Sequence, residues 1–243
     1  MKVYFIPSLF QILFLIVIYL GFIGPVHCYT FVPTEAEFNM WPYKCKAIYA
    51  STRIGQTLNF TRSIPEHDIR LWRHEADKNG GAWHYCAGLV HYLRGIREPD
   101  ASKKEEHYLN AYKEISFSYV RLKNNSTWRP EIATALAQVE RARGKREKAL
   151  ELLEGVIQIE PDYSKAYVIS ALIYRDQKKL ASAKDILIKG MSAVKDESAE
   201  LYYVLGLVSL EQNEIKEARK YADKAYELGY PLPWLKNKLK EYP

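Results

Sequence analysis

The sequence contains few cysteines and none of the common catalytic or cofactor-binding fingerprints. Only 3 of its 243 residues are cysteine, and no CxxC or CxxCH motif occurs. This excludes a disulfide-rich scaffold and leaves no support for a haem or structural zinc site. GxSxG, HExxH, P-loop and dinucleotide-binding motifs are also absent, so those enzyme classes have no sequence support. We therefore predict no enzymatic activity, no metal and no cofactor.

Positive charge is not concentrated in any one stretch. The formal net charge is +6, and acidic and basic residues alternate across residues 146–154. Nucleic-acid recognition would require a basic stripe, so we predict no nucleic-acid partner. The densest cationic group is interpreted as an exposed helix face rather than a lipid-binding site. It consists of Lys236, Lys238 and Lys240.

Residues 1–28 have the pattern of an export signal. One charged side chain, Lys2, precedes an apolar run over residues 3–23, and Gly24-Pro25 ends the run. The pattern is typical of a signal peptide, here cleaved before Tyr29. The alternative is a retained membrane anchor, since about 20 apolar residues can span a bilayer. Either interpretation places the rest of the chain outside the cytoplasm, and we predict a periplasmic location or an N-terminal membrane anchor.

Two cysteines, Cys45 and Cys86, remain if residues 1–28 are removed. An even pair in an oxidising compartment favours a disulfide, although a buried free thiol at Cys86 stays an alternative. The bond would tie residues 29–62, which are rich in turn-forming residues and read as an irregular arm, to a helical region over residues 63–128.

The helical region is expected to open with a capping box and to contain a divergent first hairpin. Ser63 and Glu66 form the S-x-x-E pattern of a helix start, and helices are predicted at 82–97 and 105–122. His84, Gly88 and His91 lie on one side of the first of these helices. They are either an imidazole strip facing a ligand or a packing surface at which Gly88 admits a neighbouring helix.

The last hundred residues repeat one pattern of small and apolar residues three times. Ala149, Ala183 and Ala218 are 34 and 35 residues apart (183 − 149 = 34 and 218 − 183 = 35). Each follows another small residue by 12 positions, as in 149 − 137 = 12. This period predicts stacked helical hairpins whose helices approach closely. We predict three repeats over 130–231 and a capping helix over 232–243. The earlier small residues are Ala137, Ala171 and Gly206.

The repeated positions resemble those of tetratricopeptide (TPR) repeats. Leu205-Gly206 resembles the Leu-Gly pair of the family, Tyr174 its first-helix tyrosine and Pro161 its closing proline. The resemblance implies an all-α fold, a right-handed superhelical array of hairpins that acts as a binding scaffold. The H-Y-C-x-G-L segment that begins at His84 also resembles an uncharacterised family of bacterial exported TPR proteins, which implies no particular activity.

The resemblance further implies that the first helix of each hairpin lines a concave groove. Arg141 and Arg175 are one period apart, so stacking would place them side by side to hold a carboxylate or an acidic peptide. Alternatively, the two arginines pair with Glu140, Asp176 or Glu200 as a solvated face. Val168, Leu172, Tyr203 and Leu207 would form an apolar floor. The groove positions are Glu131, Thr134, Gln138 and Arg141, then Lys165, Val168, Leu172 and Arg175, then Glu200, Tyr203, Leu207 and Leu210.

These observations predict an exported, non-catalytic TPR scaffold that binds a protein or peptide partner, with acidic character, in its groove. A membrane-anchored assembly factor is one alternative, with residues 1–28 retained as its only link to the membrane. An enzyme or accessory subunit that uses the helix of His84 and His91 is the other.

Overall fold

The described part of the chain is built from α-helices. The computed structural model describes residues 32–195 and 197–242, and the helices within these ranges belong to one unit, Pro33–Pro243. Within those ranges no β-strand occurs, and no helix combines the length and the apolar character needed to cross a bilayer. The expected export signal, residues 1–28, lies outside the described residues.

The N-terminal arm is more helical than its sequence suggested. Helices α1 (Glu35–Met40) and α2 (Tyr43–Ala50) precede two short 3₁₀ turns at Gly55–Thr57 and Asn59–Thr61. A capping box starts α1: Thr34 Oγ1 accepts a hydrogen bond from the Glu37 amide at 3.2 Å, and Glu37 Oε2 accepts one from the Thr34 amide at 2.8 Å. The T-x-x-E signal explains the start of α1, and α1 and α2 replace the irregular chain that was expected over residues 35–50.

Three longer helices follow: α3 (Glu66–Lys78), α4 (Trp83–Arg97) and α5 (Ala101–Arg121). The expected capping box at Ser63 does not form, because Pro65 occupies the N-cap of α3 and the Ser63 hydroxyl donates to the Phe60 carbonyl instead. Helix α5 begins earlier than predicted, since the Asp100 side chain accepts a hydrogen bond from the Lys103 amide at 2.9 Å. Helices α4 and α5 pair as the expected first hairpin.

The C-terminal array consists of three hairpins with the same turn. The left-handed turn residues are Gly144 (φ 74°), Lys178 (φ 60°) and Asn213 (φ 63°), which are separated by the sequence period (178 − 144 = 34 and 213 − 178 = 35). The all-helical repeat fold is therefore confirmed. The helices are α6 (Arg129–Ala142), α7 (Arg146–Ile159), α8 (Ser164–Asp176), α9 (Leu180–Ala193), α10 (Ala199–Glu211) and α11 (Ile215–Glu227).

The repeated small residues form the interior of the array. Ala149, Ala183 and Ala218 each have 0% of their surface exposed, so the two helices of every hairpin meet at a residue without a long side chain. A short final helix, α12 (Trp234–Leu239), packs on α10 and α11. Its Leu235 is 0% and its Leu239 is 4% exposed, so it covers the apolar side of the third hairpin as a capping helix.

A disulfide joins the arm to the first hairpin. Cys45 of α2 is bonded to Cys86 of α4, with Cα atoms 5.5 Å apart. The Trp41 indole donates to the Cys86 carbonyl at 3.0 Å, and Arg94 Nε lies 2.6 Å from Glu37 Oε1. These contacts hold α1 and α2 against α4.

Candidate functional site

The residues expected to line the groove differ in their exposure. The first helices of the three hairpins are adjacent, because α6 contacts α8 and α8 contacts α10. Of the twelve expected groove positions, six are half-buried, and four of these lie on α6 and α8 away from the arm. We refer to these four as the groove strip: Gln138, Arg141, Leu172 and Arg175.

The expected apolar floor is mostly closed. Val168 is 1%, Tyr203 is 6% and Leu207 is 9% exposed, so these side chains pack within the array and present little surface to a partner. The Tyr203 ring stacks on Tyr230 at 3.9 Å between centroids and meets Tyr226 edge-on at 6.5 Å. The structure therefore corrects the floor to Leu172 alone among the four apolar candidates. Their role in binding stays a prediction.

The two arginines of the strip each pair with an acid on the next repeat. Arg141 Nε donates to Asp176 Oδ2 at 2.7 Å, and Arg175 Nε donates to Glu211 Oε1 at 2.6 Å. Asp176 was one of the alternatives left open by the sequence, whereas Glu211 was not identified. The two positions are one period apart (211 − 176 = 35), and this spacing is the signal that could have revealed the second pair.

The remaining alternatives for those arginines are not realised. Glu140 is bound by Arg143 at 3.0 Å instead, and Glu200 makes no ion pair with any described residue. In the described ranges, the two Nη groups of Arg141 have no hydrogen-bond acceptor. Arg141 can therefore donate to an incoming carboxylate while its Nε keeps Asp176.

Tyrosines lie close to both guanidinium groups. Burial raises the pKa of Tyr92, and the nearby positive charge of Arg141 acts in the opposite direction. Burial likewise raises the pKa of Tyr203, against a smaller effect of Arg175. Both phenols therefore stay protonated at neutral pH and are hydrogen-bond donors rather than charged groups beside the strip.

The other groove positions differ in their contacts and in their exposure. Glu131 accepts a hydrogen bond from the Tyr85 hydroxyl at 2.8 Å and also pairs with Lys44 of the arm. Thr134 is 1% exposed, Lys165 and Glu200 are exposed, and Leu210 is half-buried. The arm thus occupies the edge of the groove at the first repeat, a contact that the sequence did not predict.

The histidines of α4 lie in different surroundings. His84 Nδ1 is 2.6 Å from Glu114 Oε2, and its ring stacks on Trp83 at 3.7 Å. His91 is 2% exposed, and burial lowers its pKa to about 4. In the described ranges, no group of three or more histidine, cysteine or acidic side chains is arranged to hold a metal ion.

Gly88 lies between the two histidines at the closest contact of α4 with α5. A Cβ atom at this position would come within 2.4 Å of Ile115 Cγ1. Of the two interpretations of the strip formed by His84, Gly88 and His91, the geometry agrees with helix packing.

The third hairpin of the array matches a known repeat family. Residues 199–228, which span α10 and α11, match the family model of the tetratricopeptide repeat. The chain is similar to a crystal structure of a tetratricopeptide repeat protein from Parabacteroides merdae, with 20% identity and a TM-score of 0.49, over 80% of this chain and 75% of that one. A search among curated proteins gives no match. The narrower resemblance through the H-Y-C-x-G-L segment stays a prediction.

Proposed function

Because residues 199–228 match the tetratricopeptide repeat, we propose that this chain is an exported, non-catalytic scaffold that binds a protein or peptide partner along the groove strip. The observation that carries this proposal is the set of half-buried polar and apolar side chains on the adjacent helices α6 and α8. It combines the amide of Gln138, two guanidinium groups and the side chain of Leu172. Arginine is enriched at protein interfaces, whose buried centres are more apolar than their rims.

The partner that best fits the strip carries an acidic group. The Nη groups of Arg141 take no part in the Nε–Asp176 hydrogen bond and can form a charge-assisted hydrogen bond with a carboxylate. At Arg175 both Nε and Nη2 already lie within 2.6 Å of Glu211 Oε1. An acidic segment would therefore bind first at Arg141 and compete with Glu211 at Arg175.

Photo-crosslinking in the native host tests the site directly. A photoreactive amino acid at Leu172 should capture one dominant protein, identified by mass spectrometry. The matched control places it at Ile188, which is 44% exposed on α9, the second helix of the same hairpin. Capture at both positions, or at Ile188 only, would contradict the groove strip as the binding site.

Exchanging the charges of Arg175 and Glu211 distinguishes a role of Arg175 in partner binding from a role in stability. Arg175→Glu should reduce capture at Leu172, but it also breaks the ion pair with Glu211. The double variant Arg175→Glu with Glu211→Arg restores that pair in the reverse direction. Capture that stays low in the double variant supports a direct contact of Arg175 with the partner, and full recovery would assign Arg175 a structural role only.

Export is proposed from residues 1–28, which favour a periplasmic or membrane-anchored location. Cell fractionation distinguishes the two, because a cleaved chain is released with the soluble periplasmic fraction and an anchored assembly factor stays with the membrane. A cytoplasmic chain would overturn both.

The oriented pair of His84 and Glu114 is the specific observation that favours an enzyme or accessory subunit. Histidine held by a carboxylate can act as a general base. His84→Gln should leave partner capture at Leu172 unchanged if the scaffold proposal holds.

A further inference from the structure

A pocket of about 390 Å³ lies where the N-terminal arm meets the loop before α6. Its volume falls at the lower end of the range of roughly 300–1,000 Å³ that is usual for ligand sites. It is suited to one or two side chains of a peptide. We refer to it as the tryptophan pocket, and its walls are Lys44, Leu71, Trp72, Glu75, Thr127 and Trp128.

The walls of the tryptophan pocket are fixed by contacts between separate segments. Lys44 directly precedes Cys45 of the disulfide, and its Nζ lies 4.4 Å from the centre of the Trp128 ring. The rings of Trp72 and Trp128 meet edge-on at 6.2 Å. The Ser126 hydroxyl donates to Asn79 Oδ1 at 2.5 Å, which joins the loop to the end of α3. The pocket is therefore formed before any partner arrives, which reduces the entropic cost of binding.

Two apolar side chains of α3 remain accessible at the pocket. Leu71 is 47% exposed, and Trp72 is half-buried beside it. Tryptophan is among the residues that contribute most to binding energy at protein interfaces. The neighbouring Trp128 is 5% exposed and covered by Lys44, so the contact surface consists of Trp72 and Leu71.

Glu75 supplies the charge that is available in the pocket. The ammonium of Lys44 is already engaged by Glu131 and by the Trp128 ring. Within the described ranges, the cation that reaches Glu75 is Lys78, at 3.9 Å and with 62% of its side chain exposed. Such a long, solvated pair contributes little. The carboxylate of Glu75 therefore remains open to an incoming cation.

We propose that the tryptophan pocket binds a peptide segment that carries an arginine or lysine flanked by apolar side chains. The cation pairs with Glu75, and its stem or guanidinium packs on Trp72. A flanking aliphatic side chain covers Leu71. The groove strip presents guanidinium groups and is proposed to bind an acidic segment. The tryptophan pocket is proposed to bind a basic segment, so this inference goes beyond the proposed function.

The five tryptophans of the chain provide a position-specific test. The full chain is labelled with 5-fluorotryptophan, kept in a neutral detergent and followed by fluorine NMR, with each resonance assigned by a Trp→Phe variant. The probe is a capped pentapeptide with the sequence glycine-leucine-arginine-leucine-glycine. We expect it to shift the resonances of Trp72 and Trp128 and to leave those of Trp41, Trp83 and Trp234 in place.

Two controls make the test specific. The same pentapeptide with glutamate in place of arginine should produce no shift. Glu75→Gln should raise the Kd of the arginine peptide by at least about threefold. Glu66→Gln changes another acid of α3, with its side chain 70% exposed and outside the pocket, and should leave that Kd unchanged.

Several outcomes would overturn the proposal. These are an arginine peptide that shifts no resonance of the pocket, equal shifts with the glutamate peptide, shifts at Trp83 or Trp234 instead, or a Kd that Glu75→Gln does not change. None of them depends on Leu172 or the groove strip, so the proposed function is tested separately.

Discussion

Replacing Gly88 with alanine tests how closely α4 and α5 pack. The added Cβ would lie 2.4 Å from Ile115 Cγ1 and 3.1 Å from the Ala111 carbonyl oxygen. Ile115 is 0% exposed, so its side chain cannot move into solvent, and the carbonyl belongs to the backbone of α5. Relief of the overlap therefore requires a shift of one helix against the other.

The expected change in the free energy of unfolding is the difference between two opposing contributions. Alanine in place of glycine inside a helix stabilises the folded state by up to about 1 kcal/mol, whereas overpacking of a buried contact costs about 1–3 kcal/mol. With a gain of about 1 kcal/mol, we expect a net loss of up to about 2 kcal/mol for Gly88→Ala. Gly155 of α7 is the matched control, because a Cβ there meets no atom within 4 Å. Gly155→Ala should gain up to about 1 kcal/mol.

Urea unfolding followed by far-UV circular dichroism measures both variants against the parent chain. Opposite changes of the transition midpoint for Gly88→Ala and Gly155→Ala are the expected result. If both substitutions stabilise the protein, α4 and α5 do not approach as closely as described. The packing interpretation of the strip that contains His84 and His91 would then be wrong.

Two further predictions concern buried groups of the N-terminal half. Burial, assisted by Arg94, lowers the pKa of His91 to about 4 from an ordinary value near 6.5. The unfolded chain therefore binds more protons between these values, and stability should fall by about 3 kcal/mol as the pH decreases through this window. Urea midpoints measured across that window test this, and His91→Gln should flatten the dependence. Replacing Cys45 and Cys86 with alanine removes a cross-link between residues 41 apart and should cost about 4 kcal/mol. A loss below about 1 kcal/mol in urea would contradict this.

The fold was most predictable from the sequence at positions where every hairpin has the same steric requirement. Ala149, Ala183 and Ala218 must be small because two helices cross there, and the demand recurs in every hairpin. The turn positions follow the same period even though their side chains differ, since Gly144, Lys178 and Asn213 all adopt positive φ. A repeated backbone geometry therefore survives changes of residue type, and this is why the repeat fold was predictable.

Burial in the groove depended on parts of the chain that the repeat pattern does not include. Tyr203 is covered because the segment after α11 brings Tyr230 onto its ring, and Glu131 is engaged because the arm brings Lys44 to it. Neither contact has a periodic signal. The tryptophan pocket was missed for the same reason, since its walls come from the arm, α3 and the loop before α6.

One ion pair lies between the two candidate surfaces, which prefer opposite charges. Lys44 lines the tryptophan pocket and Glu131 begins the groove side of α6, and each neutralises the other. Lys44 therefore does not repel a cation at Glu75, and Glu131 does not repel an acidic segment on the groove strip. Glu131→Gln keeps an acceptor for the Tyr85 hydroxyl but removes the partner of Lys44. We expect this variant to weaken binding of the arginine pentapeptide, measured by the same fluorine NMR titration, although Glu131 does not line the pocket. Unchanged affinity would show that Lys44 is held by the Trp128 ring alone.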